Sequence, residues 1–166
     1  MSFHAVKVLL LVLGMGWGLF LGAQEGSSAE DTDPPGDKAA SEAVQEIIIR
    51  PEGNMMKYAV TEFTVKAGQK VRLIMDNIAT NAAMIHNVVI LQIGADIHQV
   101  GLAAIKAGAE RGYIPDMEEV LYHTPLAKPG EKTQVEFIAP PPGDYPYICS
   151  YPGHFTLMFG TMHSVE

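Results

Sequence analysis

The chain has 166 residues, a formal net charge of −8, 48% hydrophobic residues and a single cysteine, a length that suits one compact domain. With 11 basic residues against 19 acidic ones, it has no positive surplus to displace counterions from a phosphate backbone, which excludes nucleic acid as a partner. One cysteine excludes an intrachain disulfide, an iron–sulfur cluster and a zinc site built on several thiolates.

The N-terminus reads as a targeting segment. Met1 to Lys7 carries one formal positive charge, and Val8 to Ala23 is an uncharged, leucine-rich run. This is the n-region and h-region pattern of a signal peptide, expected over residues 1–23 with cleavage as late as residue 29, where Ser27 and Ala29 are small. The run is shorter than the roughly 18–20 apolar residues of a spanning helix. An uncleaved segment would tether the chain to the membrane, the one membrane contact expected, and either outcome exports the protein to the periplasm or beyond. Residues 24–43 then carry Glu25, Glu30, Asp31, Asp33, Pro34, Pro35 and Asp37 with almost nothing to bury. They read as a disordered acidic linker.

Residues 44–166 form the expected globular domain. Val44–Arg50, Tyr58–Val65 and Val71–Met75 have the β-branched and alternating apolar patterns of strands. Further strands are expected at His86–Gln92, Thr133–Ile138, Gly143–Cys149 and Phe159–Val165. Lys128-Pro129-Gly130 and Pro140-Pro141-Pro142-Gly143 are breakers between strands. Ile97–Ala109, rich in alanine, is the one helical stretch and is inserted between strands. Seven or eight short strands with regularly spaced turns predict an all-β sandwich with a short helical insertion.

The chemistry gathers near the C-terminus. By itself Cys149 could be a buried hydrophobe, a reactive thiol or one ligand of a mixed site. It lies in the pattern Cys149-x4-His154-x3-Met158, and His86 stands far upstream. One thiolate, two imidazoles and a thioether are the donor set of a blue copper centre, with His2Cys in a trigonal plane and methionine as a weak axial ligand. A strand ending at Cys149, a tight turn at Pro152-Gly153 and a return through His154 and Met158 allow all three to converge on one ion. His86 would arrive from a neighbouring strand. Thioether donation favours copper over zinc.

The segment Cys149-Ser-Tyr-Pro-Gly-His154-Phe-Thr-Leu-Met158 resembles the copper-ligand loop of the azurins, and His86-Asn87 is similar to the azurin His-Asn pair. His123-Thr124, Pro129-Gly130-Glu131-Lys132 and the helical insertion extend the likeness over about residues 60–162; auracyanins are near relatives. The resemblance implies a Greek-key cupredoxin sandwich holding one type 1 copper ion. His86, Cys149 and His154 would lie in the plane with Met158 axial. The carbonyl that azurins add as a weak contact would belong here to Ile85, and Asn87 would tie the two ligand loops together. It also implies an exposed loop histidine within an apolar patch, for which His154 with Met55, Met56, Met84 or Phe155 are the candidates.

The expected function follows. The chain would be an exported, azurin-like electron carrier and not an enzyme, with no small-molecule substrate and with redox partners such as c-type cytochromes or a terminal reductase. A copper-binding or delivery protein is the competing reading. His98, His123 and His163 form no His-x-His pair and receive no ligand role. Asp116, Glu118 and Glu119 read as a solvated acidic face.

Overall fold

A computed structural model describes residues 44–166; the expected signal peptide and acidic linker lie outside the described residues. No described helix is long and apolar enough to cross a membrane. Eight strands form two sheets. One contains β1 (Gln45–Ile49), β3 (Lys70–Asp76) and β6 (Lys132–Ile138) in the order β1-β3-β6. The other contains β2 (Glu62–Lys66), β4 (Val89–Leu91), β5 (Val120–His123), β7 (Gly143–Ile148) and β8 (Phe159–Val165) in the order β2-β8-β7-β4-β5. The β1–β3 and β2–β8 pairs are parallel and the rest antiparallel.

The burial pattern explains which segments became strands. Along β3, Val71, Leu73 and Met75 are buried while Lys70, Arg72 and Ile74 are half-buried, the alternation of a strand with one face on a core. On the opposing sheet Phe63, Val65, Tyr145, Tyr147 and Met162 face the same interior. In β4 every residue is buried, because Val89 and Leu91 pack under a helix, α1 (Ile97–Ala107), together with Ile148, Val100 and Phe155. A strand covered on both faces loses its alternation, which is why this one reads as a plain apolar run.

Three boundaries differ from expectation by more than one residue, and one strand is not among those expected. The strand expected over Tyr58–Val65 begins only at Glu62, and buried Tyr58 makes an isolated bridge to Pro51. The strand expected from His86 begins at Val89, and His86 bridges to Ala127 instead. The helix expected through Ala109 ends at Ala107, because Gly108 turns to φ 78° and sends its N–H back to the Ala104 carbonyl, before a single 3-10 turn at Ala109–Arg111. The eighth strand, β5, has no clear pattern of its own; it is a short edge strand with no fully buried residue, held by pairing with β4.

Candidate metal centre

The registers of three strands bring two distant segments together at one end of the larger sheet. Val89 of β4 lies opposite Ile148 of β7, so in an antiparallel pair Asn87 comes beside Ser150 and His86 follows. Ile148 also lies opposite Phe159 of β8. The next pair outward closes the loop, with the Cys149 N–H donating to the Met158 carbonyl at 2.9 Å. Between them Gly153 takes φ 81°, a left-handed conformation that turns the chain after Pro152. The His154 N–H then donates to the Tyr151 carbonyl, and the His154 carbonyl accepts from Leu157 and Met158. The loop is thus a bonded turn rather than a loose connection.

His86, Cys149 and His154 converge. The two Nδ1 atoms are 3.2 Å apart, and Cys149 Sγ lies 3.8 Å from Nδ1 of His86 and 3.6 Å from Nδ1 of His154. A point equidistant from all three is about 2.1 Å from each, inside the roughly 2.0–2.3 Å range of metal–imidazole and metal–thiolate bonds. All three residues are buried. Three lone-pair atoms packed this closely with little water oppose one another unless a cation sits between them. The His86 ring supports this fit: its Nδ1 faces the cluster, while its Nε2 is the one buried side-chain polar atom among the described residues without a hydrogen-bond partner. Packing, not a bond at Nε2, orients that ring.

Met158 is fully buried in the same apolar cluster as Cys149. Ile85, half-buried, immediately precedes His86, whose N–H donates to the Ala127 carbonyl. Asn87 is fully buried and joins the two segments: its Nδ2 donates to Ser150 Oγ at 2.8 Å and its Oδ1 accepts from the Ser150 N–H at 2.9 Å.

Other supporting residues escape sequence reasoning. Asn77 Nδ2 donates to the carbonyls of Met84 and Ala127, each at 2.8 Å, fixing the chain on both sides of His86. Tyr58 Oη donates to the Asn87 carbonyl, and the Val88 N–H donates to Thr124 Oγ1. Buried asparagine and tyrosine in a strand-rich chain carry no local signal of this role, since Ala127 lies 50 residues from Asn77 and Asn87 lies 29 from Tyr58.

The electrostatics match a site made for a cation. Burial pushes the Cys149 thiol up to about 12, against which the backbone N–H groups of Asn87 and Tyr151 favour the thiolate. Burial, with His154 nearby, pulls the His86 imidazole down to about 4, and burial lowers His154 as well. Without metal at neutral pH the site therefore holds one thiol proton and two neutral imidazoles. Metal binding at pH 7 is expected to release about one proton, not three, and apparent affinity is expected to rise about tenfold per pH unit above neutrality, as metal competes with that proton alone. Proton release measured in weakly buffered titrations checks this; release of two or three protons would refute it.

Two surface expectations are corrected. His154 is only 4% exposed rather than an open loop histidine, and Phe155 is buried at 5% beneath α1 rather than on an apolar rim. The rest of the expected patch exists: Met55, Met56 and Met84 line an open hollow of about 400 Å³ with Leu157 of the loop, which is 60% exposed. The other histidines among the described residues stand apart from the cluster. His98 is exposed on α1, His123 is exposed at the end of β5, and His163 Nδ1 lies 2.7 Å from Asp144 Oδ1.

Comparison with known proteins places this arrangement. The family described as copper binding proteins, plastocyanin/azurin family, matches residues 45–165. Auracyanin-A of Chloroflexus aurantiacus is 36% identical over 118 residues, covering 70% of this chain and 72% of that protein. Azurin iso-2 of Methylomonas sp. strain J is 36% identical over 109 residues, covering 63% of this chain and 79% of its own length. The solved structure of auracyanin A, described as a "blue" copper protein from a green thermophilic photosynthetic bacterium, Chloroflexus aurantiacus, superposes with a TM-score of 0.68 at 32% identity, over 74% of this chain and 100% of that one.

Proposed function

The chain belongs to the plastocyanin/azurin family of copper-binding proteins, and we propose that it is an exported carrier that moves single electrons between redox proteins. The observation that supports this most is the preformed triangle of Cys149 Sγ and the Nδ1 atoms of His86 and His154, with sides of 3.2 to 3.8 Å. These three residues would hold the copper, with the Met158 thioether and the Ile85 carbonyl as weaker donors. Bound copper supplies one-electron exchange between its two oxidation states.

The chain's own part is to keep the donors still. His86 and Cys149 sit on segments tied through Asn87 and Ser150, and His154 and Met158 lie on the bonded turn between β7 and β8. Donors held by hydrogen bonds on both sides move little when charge changes, which favours fast electron exchange over metal release. The hollow lined by Met55, Met56, Met84 and Leu157 is the apolar face on which a c-type cytochrome or a terminal reductase would dock. Residues 1–23, by their uncharged leucine-rich run, are the export signal, and the acidic, proline-containing residues 24–43 are the tether.

The test is a Cu(II) titration of the mature protein followed by two rates. An intense visible band, narrow-hyperfine electron paramagnetic resonance and electron self-exchange faster than copper loss to a chelator are expected. Rapid copper transfer to the chelator with slow self-exchange would instead identify a delivery protein. In the same protein Met158→Leu is expected to retain copper and raise the potential, where ~59 mV is a tenfold change in a one-electron equilibrium. An unchanged potential would remove Met158 from the site.

A further inference from the structure

Helix α1 meets the ligand loop at one residue without a side chain. A Cβ built on Gly101 would fall closer than 3.0 Å to three ring atoms of Phe155, a separation that real Cβ atoms do not show. The Phe155 ring therefore occupies the space an alanine methyl would need. The ring is almost fully buried, packs with Val100, Val89, Leu91 and Ile148, and is met edge-on by the His98 ring at 5.9 Å and 83°. A glycine inside a helix is less favourable than alanine, so its presence here is explained by contact rather than by helix propensity.

Phe155 directly follows His154, whose N–H and carbonyl make three of the hydrogen bonds of the turn. On the other side of His154, the Tyr151 ring lies 5.0 Å from the imidazole and is met edge-on by Tyr113 at 5.4 Å and 81°. Tyr113 is the one non-glycine residue with positive φ among the described residues, at 57°. The insertion from α1 to Tyr113 thus braces the loop on both flanks of His154. We propose that Gly101 is a positioning residue for His154: by admitting the Phe155 ring against the helix backbone, it fixes the turn that aims the imidazole at Cys149. The proposal rests on His154 being a copper ligand only for its spectroscopic consequence; the fixing of the turn stands apart from it.

The test uses the full chain, metal-free and copper-loaded, with Gly101→Ala, Phe155→Ala and the double variant. In metal-free Gly101→Ala, amide hydrogen exchange at His154, Leu157 and Met158 is expected to rise about tenfold or more, while β3 and β6 amides keep their protection. Copper-loaded Gly101→Ala is expected to show altered electron paramagnetic resonance parameters. In the Phe155→Ala background, which removes the Cγ and both Cδ atoms that a methyl on residue 101 would meet, the same alanine should add little. Faster exchange confined to α1, with loop amides and resonance parameters unchanged, would overturn the proposal, as would an equal effect in both backgrounds. If Gly101→Ala does not fold, Phe155→Ala alone must raise exchange at the three loop amides, and protection there would equally refute it. A wild-type protein without the copper signal would sink the copper reading, while the metal-free exchange would still decide this one.

Discussion

Cys149→Ser is expected to abolish the intense visible band of the Cu(II)-loaded protein, not merely weaken it. That band requires charge transfer from a thiolate, and Cys149 is the only cysteine in the chain. No second sulfur of that kind can substitute. Serine is close in size, so the buried pocket beside His86 and His154 should survive, and the change isolates chemistry from packing. The wild-type thiol, already raised to about 12 by burial, loses its proton only because metal is there to take its place. A serine hydroxyl is a far weaker acid and a harder donor, and it would stay protonated and leave two imidazoles and Met158 to hold the ion. Absorption and electron paramagnetic resonance spectra after Cu(II) addition check this, with circular dichroism confirming the fold. A persisting band would mean that the thiolate is not a ligand.

The second large effect is expected from Asn87→Ala, a residue that the site needs but that is not itself a donor. The substitution removes two hydrogen bonds to Ser150 and leaves the fully buried Ser150 N–H without its acceptor. An orphaned buried donor costs about 1–3 kcal/mol, to which the lost bonds and the small cavity add, so a loss of about 2–4 kcal/mol in folding stability is expected. Copper affinity should fall by about 10–100-fold, as for other residues that orient metal ligands from behind. Ser150→Ala, which keeps the backbone bond, should do less on both counts. Denaturant midpoints and chelator competition measure the two quantities. An unchanged affinity with lowered stability would confine Asn87 to folding and detach it from the site.

Several parts of this protein are legible in the linear chain. The alternation in β2 and in β3, the breakers before β6 and β7, and the helical insertion each depend on neighbours a few residues away, and patterns of that range survive in a linear sequence. The His-Asn pair and the Cys-to-Met loop are legible for a different reason, because their residue types are chemically specialised and their spacing fits one tight turn. What cannot be read is everything set by partners far along the chain. Nothing local marks Asn77 as the clamp around His86, because its acceptors belong to Met84 and Ala127. Strand β5 exists through its pairing with β4, not through its own pattern. The expected exposure of His154 and Phe155 fails because the cover over Phe155 is α1, far upstream in the sequence.

By itself the sequence determined the fold class, the single thiol and the spacing of Cys149, His154 and Met158 with the His86-Asn87 pair upstream, since composition and short-range spacing suffice for these. Only the tertiary structure decided that the three donors meet within 3.8 Å in a buried place, that Asn87 and Ser150 lock them, and that Gly101 leaves room for the ring beside His154. Convergence is a property of strand register and of the packing between layers. Both are fixed by long-range contacts, which carry the burial energy of the fold and leave no periodic trace in the chain.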